Sequence, residues 1–283
     1  MIVNQLKTVV LLGLLTALLL WVGNLLGGMS GLTIAFIFAI IMNFGAYWFS
    51  GKIVLAMYKA KEVKEPEAHR LLKIVREVVE KAKVPMPKVY IIPSDASNAF
   101  ATGRNPKHAA VAATKGILNL LNDDELKGVI AHEISHVKNR DILISSIAAT
   151  IAGVISYVAF MARWAAIFGG FGGRNRDSGN IISLLLLAIV TPLIAMIIQL
   201  AISRSREYLA DSTGAKIIQN SNGLASALEK LENNVKTHPM RLGNQATAHL
   251  FITNPFRGGA MMALLSTHPP MNIRIQRLKS MKF

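Results

Sequence analysis

The 283 residues are 52% hydrophobic, a fraction too high for one large water-soluble core, and this favours a membrane protein. A formal net charge of +15 suits either nucleic acid or an anionic membrane face as a partner. We expect the lipid bilayer and no nucleic acid, because basic and aromatic residues do not interleave as they do in RNA-binding modules. The absence of cysteine excludes disulfides and cysteine-ligated zinc, so any metal must be held by His, Asp or Glu.

Two long apolar runs occupy the N-terminal part of the chain, residues 8–26 and 32–50. Each is just long enough to cross about 30 Å of hydrocarbon, and the glycine-rich residues 27–31 join them. Residues 1–51 are therefore predicted to form a transmembrane hairpin. Lysines flank this hairpin on both sides and its short loop carries no charge, so the positive-inside rule places both flanks in the cytoplasm.

Residues 52–141 have the composition of a soluble domain, and we predict that they form the first half of a cytosolic α+β unit. Apolar residues recur at helical spacing within the charged stretch 66–83, which predicts an amphipathic helix. Lys88–Ile92 is typical of a strand. Residues 99–102 and Ala109–Thr114, with a Gly-Arg-Asn-Pro sequence between them, predict a β-hairpin.

The most informative stretch is the sequence His-Glu-Ile-Ser-His, which begins at His132. Before it, Asn122 and Glu125 have the spacing of a capping box, and apolar residues recur at helical intervals. On the resulting amphipathic helix of about 16 residues, His132 and His136 lie on one face and can bind one zinc ion. Glu133 is then placed to take a proton from the metal-bound water. The alternative is two ordinary histidines on a polar helix.

Two further apolar runs follow this motif and lie within residues 142–203. The runs are residues 142–168 and 181–203, and the glycine-rich linker 169–180 joins them. They predict a second hairpin, which brings the total to about four membrane-spanning helices. If the motif is cytoplasmic, this linker lies outside. A hairpin partly buried within the protein is the alternative. Residues 204–283 are polar again and are predicted to form the second half of the cytosolic domain.

A catalytic zinc site needs three protein ligands, so a third must come from elsewhere in the chain. A third histidine within an extended motif would occupy position 142, which is Ile142. The remaining common arrangement takes a glutamate from a second helix, and Glu207 after the fourth apolar run is the candidate. Asp211 lies four residues on, where its carboxylate can accept the second N–H of a ligand histidine. An ordinary helix surface, with Glu207 paired to neighbouring arginines, is the alternative.

Three features of the chain together resemble those of a known family. They are the motif at His132, the apolar hairpin after it and the sequence Ser-Arg-Glu-Tyr-Leu-Ala-Asp from Ser205. With these features the chain resembles the membrane zinc metalloproteases that include the CAAX prenyl proteases. Residues 93–103 and the small four-span layout resemble the HtpX family of heat-shock proteases in particular. The resemblance implies a zincin-like domain of the gluzincin type with one zinc ion per subunit. It also implies a multi-pass protein of the bacterial cytoplasmic membrane with its catalytic domain facing the cytosol. Such a protein cleaves misfolded or damaged membrane proteins alongside other quality-control proteases.

The same resemblance assigns roles to individual residues. The implied zinc ligands are His132, His136 and Glu207. Glu133 is the implied catalytic base. The implied substrate-binding edge strand consists of Asn98, Ala99, Phe100 and Ala101. Such a strand pairs with an extended peptide through main-chain hydrogen bonds. His268 is similar to a transition-state-stabilising histidine and Arg274 to the arginine that supports it. A plain structural hairpin and a helix-capping histidine are the respective alternatives.

Two other functions fit parts of the sequence. An intramembrane protease would carry the zinc motif inside a span, but acidic and basic residues on both sides of the motif argue against that. An inactive membrane scaffold or chaperone could keep a structural zinc site, although a closed structural site does not need a base such as Glu133. The sequence therefore predicts a membrane-anchored, zinc-dependent endopeptidase.

Overall fold

The computed structural model describes residues 2–64, 69–151, 204–237, 240, 245–254 and 269–283. Within these ranges the protein is mostly helical, with one four-stranded sheet. The helices are α1 (Ile2–Met57), α2 (His69–Ala82), α3 (Lys115–Leu120), α4 (Asp123–Lys138), α5 (Ile142–Ile151), α6 (Arg204–Ile218), α7 (Asn222–Thr237) and α8 (Met271–Lys279). The strands are β1 (Lys61–Glu62), β2 (Lys88–Ile92), β3 (Ala99–Gly103) and β4 (Ala109–Thr114), and two short 3-10 helices cover Pro106–His108 and Gln245–Leu250.

The helix α1 is the N-terminal apolar hairpin, and it reverses direction at Gly27 and Gly28. Gly28 has a φ of +55°, a left-handed conformation that costs glycine little, so the reversal needs no separate loop. The two arms contact each other where Leu11 and Leu15 pack in one cluster with Ala46. The predicted hairpin is therefore present, with a tighter turn than the glycine-rich loop we expected.

One arm of α1 has the dimensions of a membrane span. Gly27–Met57 is 31 residues long, apolar and mostly exposed, whereas Thr8–Asn24 in the first arm is a shorter apolar helix. The second arm continues beyond the predicted end at Ser50. The third predicted span is described only as far as Ile151, and the rest of it, its linker and the fourth predicted span lie outside the described residues.

The sheet has the strand order β1-β2-β4-β3. The strands β2 and β4 are parallel, and the other two pairs are antiparallel. The predicted strand at Lys88–Ile92 and the predicted hairpin are both present, with Ala101 opposite Val111. The central strand β4 is buried along its whole length, and four of its six residues are alanine. The strand β3 lies at the edge of the sheet, beside α4.

The helix α4 runs through the middle of the domain and is packed by α2, α6, α7 and β3. The predicted apolar face of α2 is confirmed, and its buried residues include Leu71, Leu72, Val75, Val78 and Val79. The predicted helix α4 is also present, with the predicted apolar residues buried, but its polar face is covered as well. Most of its residues are buried, including His132 and Glu133, because neighbouring elements cover it on nearly every side.

Candidate metal centre

The start of α4 determines where its histidines lie. Asn122 Oδ1 accepts a hydrogen bond from the Glu125 N–H at 2.9 Å, and Glu125 Oε2 accepts one from the Asn122 N–H at 3.0 Å. The predicted capping box is therefore confirmed. One turn apart on the same helix face, His132 and His136 bring their Nε2 atoms to 3.1 Å from each other.

Glu207 completes a group of three potential metal ligands. Its carboxylate oxygens lie 3.7 Å from His132 Nε2 and 3.6 Å from His136 Nε2. Tetrahedral zinc with bonds of about 2.0–2.1 Å separates its ligand atoms by about 3.3 Å, so these spacings fit zinc closely. Three protein ligands leave the fourth position for water, as in catalytic zinc sites. The structure thus brings together the three residues predicted from the sequence.

Gly214 allows α6 to come close enough to α4 for this arrangement. A Cβ at Gly214 would lie 2.9 Å from the backbone carbon of Ala131 and 2.9 Å from the backbone nitrogen of His132. Any residue other than glycine would force these two helix backbones apart. Glu207 precedes Gly214 by two helical turns and shares its face of α6, so the crossing directs the carboxylate towards the histidines.

A buried chain of polar groups supports His132 from behind. Asp211 Oδ1 lies 2.9 Å from His132 Nδ1, although off the direction of the ring N–H. Arg274 donates from Nε and Nη2 to the two Asp211 oxygens at 2.8 and 2.7 Å, and from Nη1 to the carbonyl of Ile252 at 2.9 Å. Arg274 is 0% exposed. Its closest contacts are with Asp211, and its Nη1 also lies 3.7 Å from Oε2 of Glu207.

Asp141 supports the second histidine, and the sequence analysis did not identify it. Both of its carboxylate oxygens lie 3.2 Å from His136 Nδ1. Such a partner fixes the tautomer in which Nε2 faces the metal. The sequence held one indication of this contact, because Asp141 follows His136 by only five residues. The chain turns back between them at Arg140, which has a φ of +57°, and no local pattern indicated that turn.

Burial and neighbouring charges set the protonation of the metal-free site. Burial lowers the pKa of His132, which favours the neutral imidazole that can bind a metal. Burial also opposes the charged form of His136, but the carboxylates of Asp141, Glu207 and Glu133 outweigh it and raise the pKa of His136 to about 10. Burial raises the pKa of Glu133 to about 8. A divalent cation favours neutral imidazole and ionised carboxylate, so metal binding must displace protons.

Glu133 lies between the ligands and the edge of the sheet. The backbone amide of Ala101, in β3, acts to lower the pKa of the Glu133 carboxyl, although burial outweighs this effect. Both residues line a cavity that also includes His132 and His136. The free volume in this cavity is about 20 Å³, which is about the space that one water molecule needs. The arrangement has the groups for proton transfer beside a metal, but no room for a peptide.

Residues 245–254, the covering segment, lie along the outer edge of β3. The Ile252 N–H donates to the Ala99 carbonyl at 3.3 Å, and Asn98 Nδ2 donates to the Thr253 carbonyl at 2.7 Å. The predicted substrate-binding residues are all buried, and they are Asn98, Ala99, Phe100 and Ala101. They do form the sheet edge, but in this conformation the protein's own chain occupies it.

Three aromatic rings hold the covering segment in place. Phe251 packs edge-to-face on Tyr58 of α1 and on Phe100 of β3, with ring centroids 5.0 and 5.3 Å apart. The Tyr58 hydroxyl and the Thr247 hydroxyl share a short hydrogen bond. His249, which the sequence analysis also missed, lines the cavity beside the ligands. No local pattern marks it, because its neighbours in space lie on α4, α5 and α6.

The predicted site residue His268 lies outside the described residues, so its role stays a prediction.

A helix carrying His-Glu-x-x-His, a glutamate ligand from a second helix and a mixed sheet beside them define a zinc metallopeptidase of the zincin type. The chain belongs to peptidase family M48, whose profile matches residues 65–282.

The chain is similar over its full length to proteases of the HtpX type. It is 58% identical over 278 residues to a protease HtpX homolog of Syntrophotalea carbinolica, and the match covers 98% of this chain and 99% of that protein. It is 54% identical over 278 residues to a protease HtpX homolog of Thermococcus kodakarensis, with coverage of 98% and 96%. The resemblance predicted from the motifs is confirmed, and so is the zinc metallopeptidase class.

The crystal structure of S. mikatae Ste24p shares the fold. Its TM-score is 0.51 at 20% sequence identity, and the match covers 98% of this chain and 66% of that chain. Together with the membrane-length helix Gly27–Met57, the full-length HtpX relatives indicate a membrane-associated metalloprotease. The number of spans, their orientation and the substrate stay predictions.

Proposed function

We propose that the protein is a multi-pass endopeptidase of the bacterial cytoplasmic membrane, which cleaves misfolded or damaged membrane proteins with its catalytic domain in the cytosol. The observation that carries this proposal is the position of Glu133, buried beside three potential metal ligands in a cavity that Ala101 of the edge strand β3 also lines. A structural zinc site does not need such a base. The apolar helix Gly27–Met57 would keep the site close to substrates in the bilayer. Other membrane quality-control proteases are the proposed partners, and nucleic acid is not.

The residues of the site divide the chemistry between them. One zinc ion would be held by His132, His136 and Glu207. When bound, zinc polarises the scissile carbonyl and lowers the pKa of the attacking water. The Glu133 carboxylate accepts a proton from that water and returns it to the leaving amine. Asp211 and Asp141, each against the Nδ1 atom of a histidine, keep the two rings oriented.

We propose that His268 stabilises the negative charge that develops on the substrate carbonyl oxygen. Arg274 would support it indirectly, since its guanidinium contacts Asp211, a backbone carbonyl and, at 3.7 Å, Glu207. Arg274 is therefore proposed as a positioning residue, which holds the end of α8 next to the metal centre.

The edge of β3 is the proposed place for the substrate backbone. An extended peptide can pair there only after the covering segment has moved, because Ile252 already donates to Ala99 and the cavity has room for about one water. We propose that the covering segment leaves this edge when a substrate binds. Pairing through main-chain groups then accepts many sequences, which suits a protease for damaged proteins.

Loosening the covering segment should increase peptide access. Tyr58→Phe removes the hydrogen bond to Thr247, which contributes about 1 kcal/mol, so the open form should become about fivefold more populated. The expected result is a lower KM for casein with little change in kcat. The matched control is Tyr90→Phe, which removes a hydroxyl bonded to the exposed Glu62. An unchanged KM in Tyr58→Phe would argue against displacement of the segment.

The central experiment compares the detergent-purified protein with a Glu133→Gln variant. The ligands are untouched, so zinc content should be normal, while casein hydrolysis should fall by about 100- to 10,000-fold. Full activity in the variant would remove the proposed mechanism. The substrate proposal is tested with one membrane protein in its native form and in a destabilised form. Equal cleavage of both forms would contradict a quality-control function.

A further inference from the structure

A second cavity lies away from the metal centre, between the second arm of α1 and the sheet. Its volume is about 710 Å³. The wall formed by α1 is aromatic and includes Phe44, Trp48 and Phe49. The basic residues that line the cavity are Lys52, Lys88, Arg104 and Lys107, of which Lys88 is paired with Glu62 at 3.1 Å. Among its described lining residues there is no Asp or Glu. A groove with one apolar wall and several cations suits a ligand that combines an anionic head with an apolar tail.

Arg104 is oriented by contacts that leave its charge available. Its guanidinium carbon lies 4.3 Å from the centroid of the Trp48 ring, a cation–π contact. Its Nη2 lies 3.1 Å from Nε2 of His108, whose Nδ1 is 2.8 Å from Asn105 Oδ1. When Nδ1–H donates to Asn105 Oδ1, Nε2 accepts from Arg104. Neither partner carries a negative charge, so the guanidinium remains free to pair with an anion.

The groove lies where the membrane-length helix meets the soluble domain. Ile41 and Phe44 on this helix are 65% and 62% exposed, which continues the apolar surface of the span up to Trp48. Tryptophan, lysine and arginine are enriched where a span reaches the headgroups. One turn after Trp48, Gly51 packs against Gly103, so the turn between β3 and β4 sits against the helix at this level.

We propose that this groove binds one anionic glycerophospholipid, with its phosphate on Arg104 and Lys107 and an acyl chain along the aromatic wall of α1. Basic residues near the membrane surface each add to the attraction for anionic lipid. A free phosphate would use the cations alone, and an acidic peptide would not need the exposed face that runs from Ile41 to Trp48. A lipid uses both walls. The site is independent of the metal centre and of the proposed proteolysis.

The test is native mass spectrometry of the full-length protein in neutral detergent, with phosphatidylglycerol and phosphatidylcholine of the same acyl chains. One phosphatidylglycerol should bind, at least about tenfold more tightly than phosphatidylcholine. The Arg104→Gln/Lys107→Gln double variant should lose about 10- to 30-fold in phosphatidylglycerol affinity and clearly less in phosphatidylcholine affinity, because the choline charge already offsets that phosphate. The control pair Lys73→Gln/Lys81→Gln changes the net charge equally on the exposed face of α2 and should bind as the wild type does.

Trp48→Leu provides a second test, because it keeps the wall apolar and removes the ring beneath Arg104. It should weaken phosphatidylglycerol binding severalfold without lowering Tm. Equal affinity of the wild type for the two lipids would overturn the proposal, and so would an equal loss in the control pair. Full displacement of the lipid by inorganic phosphate at similar concentration would mean a phosphate site and would also overturn it.

Discussion

Replacing Gly214 with alanine tests whether the metal site depends on the close crossing of α4 and α6. The new Cβ would lie 2.9 Å from both Ala131 C and His132 N, and 3.0 Å from Ala131 O. These three atoms belong to the backbone of α4, so none of them can rotate away as a flexible side chain could. The two helices must therefore separate, and Glu207 must move with α6.

The size of the movement follows from these distances. An ordinary van der Waals contact begins at 3.4 Å, so the helices must move apart by 3.4 − 2.9, or about 0.5 Å. Zinc sites tolerate about 0.2 Å in their ligand distances, so affinity should fall by about 10- to 100-fold, as it does when ligand support is lost. Overpacking costs about 1–3 kcal/mol, and alanine recovers about 1 kcal/mol over glycine within a helix. The unfolding free energy should therefore fall by about 0–2 kcal/mol.

Two measurements separate the effect on the metal from the effect on the fold. Zinc affinity is measured by competition with a chromophoric chelator, and stability by thermal unfolding of the zinc-free protein. The control is Gly45→Ala, the same change in a helix where no atom lies within 4 Å of the new Cβ. It should bind zinc as the wild type does. Wild-type zinc affinity in Gly214→Ala would refute the argument that this crossing positions Glu207.

The ligand set, its protonation and its buried support each predict a further effect. Glu207→Ala should lose zinc and activity, and a normal zinc content on metal analysis would mean that another residue is the third ligand. Zinc binding at pH 7 should release at least one proton, because the pKa of His136 is raised to about 10 without metal; calorimetric heats that do not depend on the buffer would contradict this. Arg274→Gln should lower the unfolding free energy at neutral pH by about 3–5 kcal/mol, because it leaves Asp211 charged and buried without its bidentate partner. Burial opposes ionisation of Asp211, but Arg274 outweighs it and lowers the pKa from 3.8 to about 2. The stability from this pair is thus present above pH 3.8 and is lost as pH falls through 2, so acid titration of the zinc-free protein should show wild type and variant converging over that window. His268→Ala should keep zinc while kcat falls by about 100- to 1000-fold, and a change confined to KM would instead place His268 in substrate binding.

Local features of this protein follow from the sequence alone. The capping box at Asn122, the helical period after it and the i, i+4 spacing of His132 and His136 involve residues within a few positions of each other. Such short-range interactions act in the same way wherever the helix lies in the fold. The strand Lys88–Ile92 was predicted for the same reason. Glu207 was predicted differently, from the number of ligands that zinc requires rather than from any local pattern.

The burial of α4 was not predictable from its own residues. The sequence alone suggests that a histidine and a glutamate on a helix face solvent. The packing of α6 and β3 against α4 buries them. The crossing at Gly214 makes this packing possible, and a glycine in a helix gives no sign of which backbone will approach it. Tertiary structure therefore decided that the site is buried, and burial in turn raises the pKa of Glu133.

Tertiary structure also decided which residues support and cover the site. Arg274 reaches Asp211 across 63 positions, and Asn98 reaches Thr253 across 155. A buried charge pair such as Arg274 and Asp211 is stable only where the fold removes both partners from water together. Whether this happens depends on the packing of whole elements rather than on neighbours in the chain. The covering segment on β3 has the same origin. An edge strand offers unpaired backbone groups to any chain that can reach it, and the fold determines which chain that is.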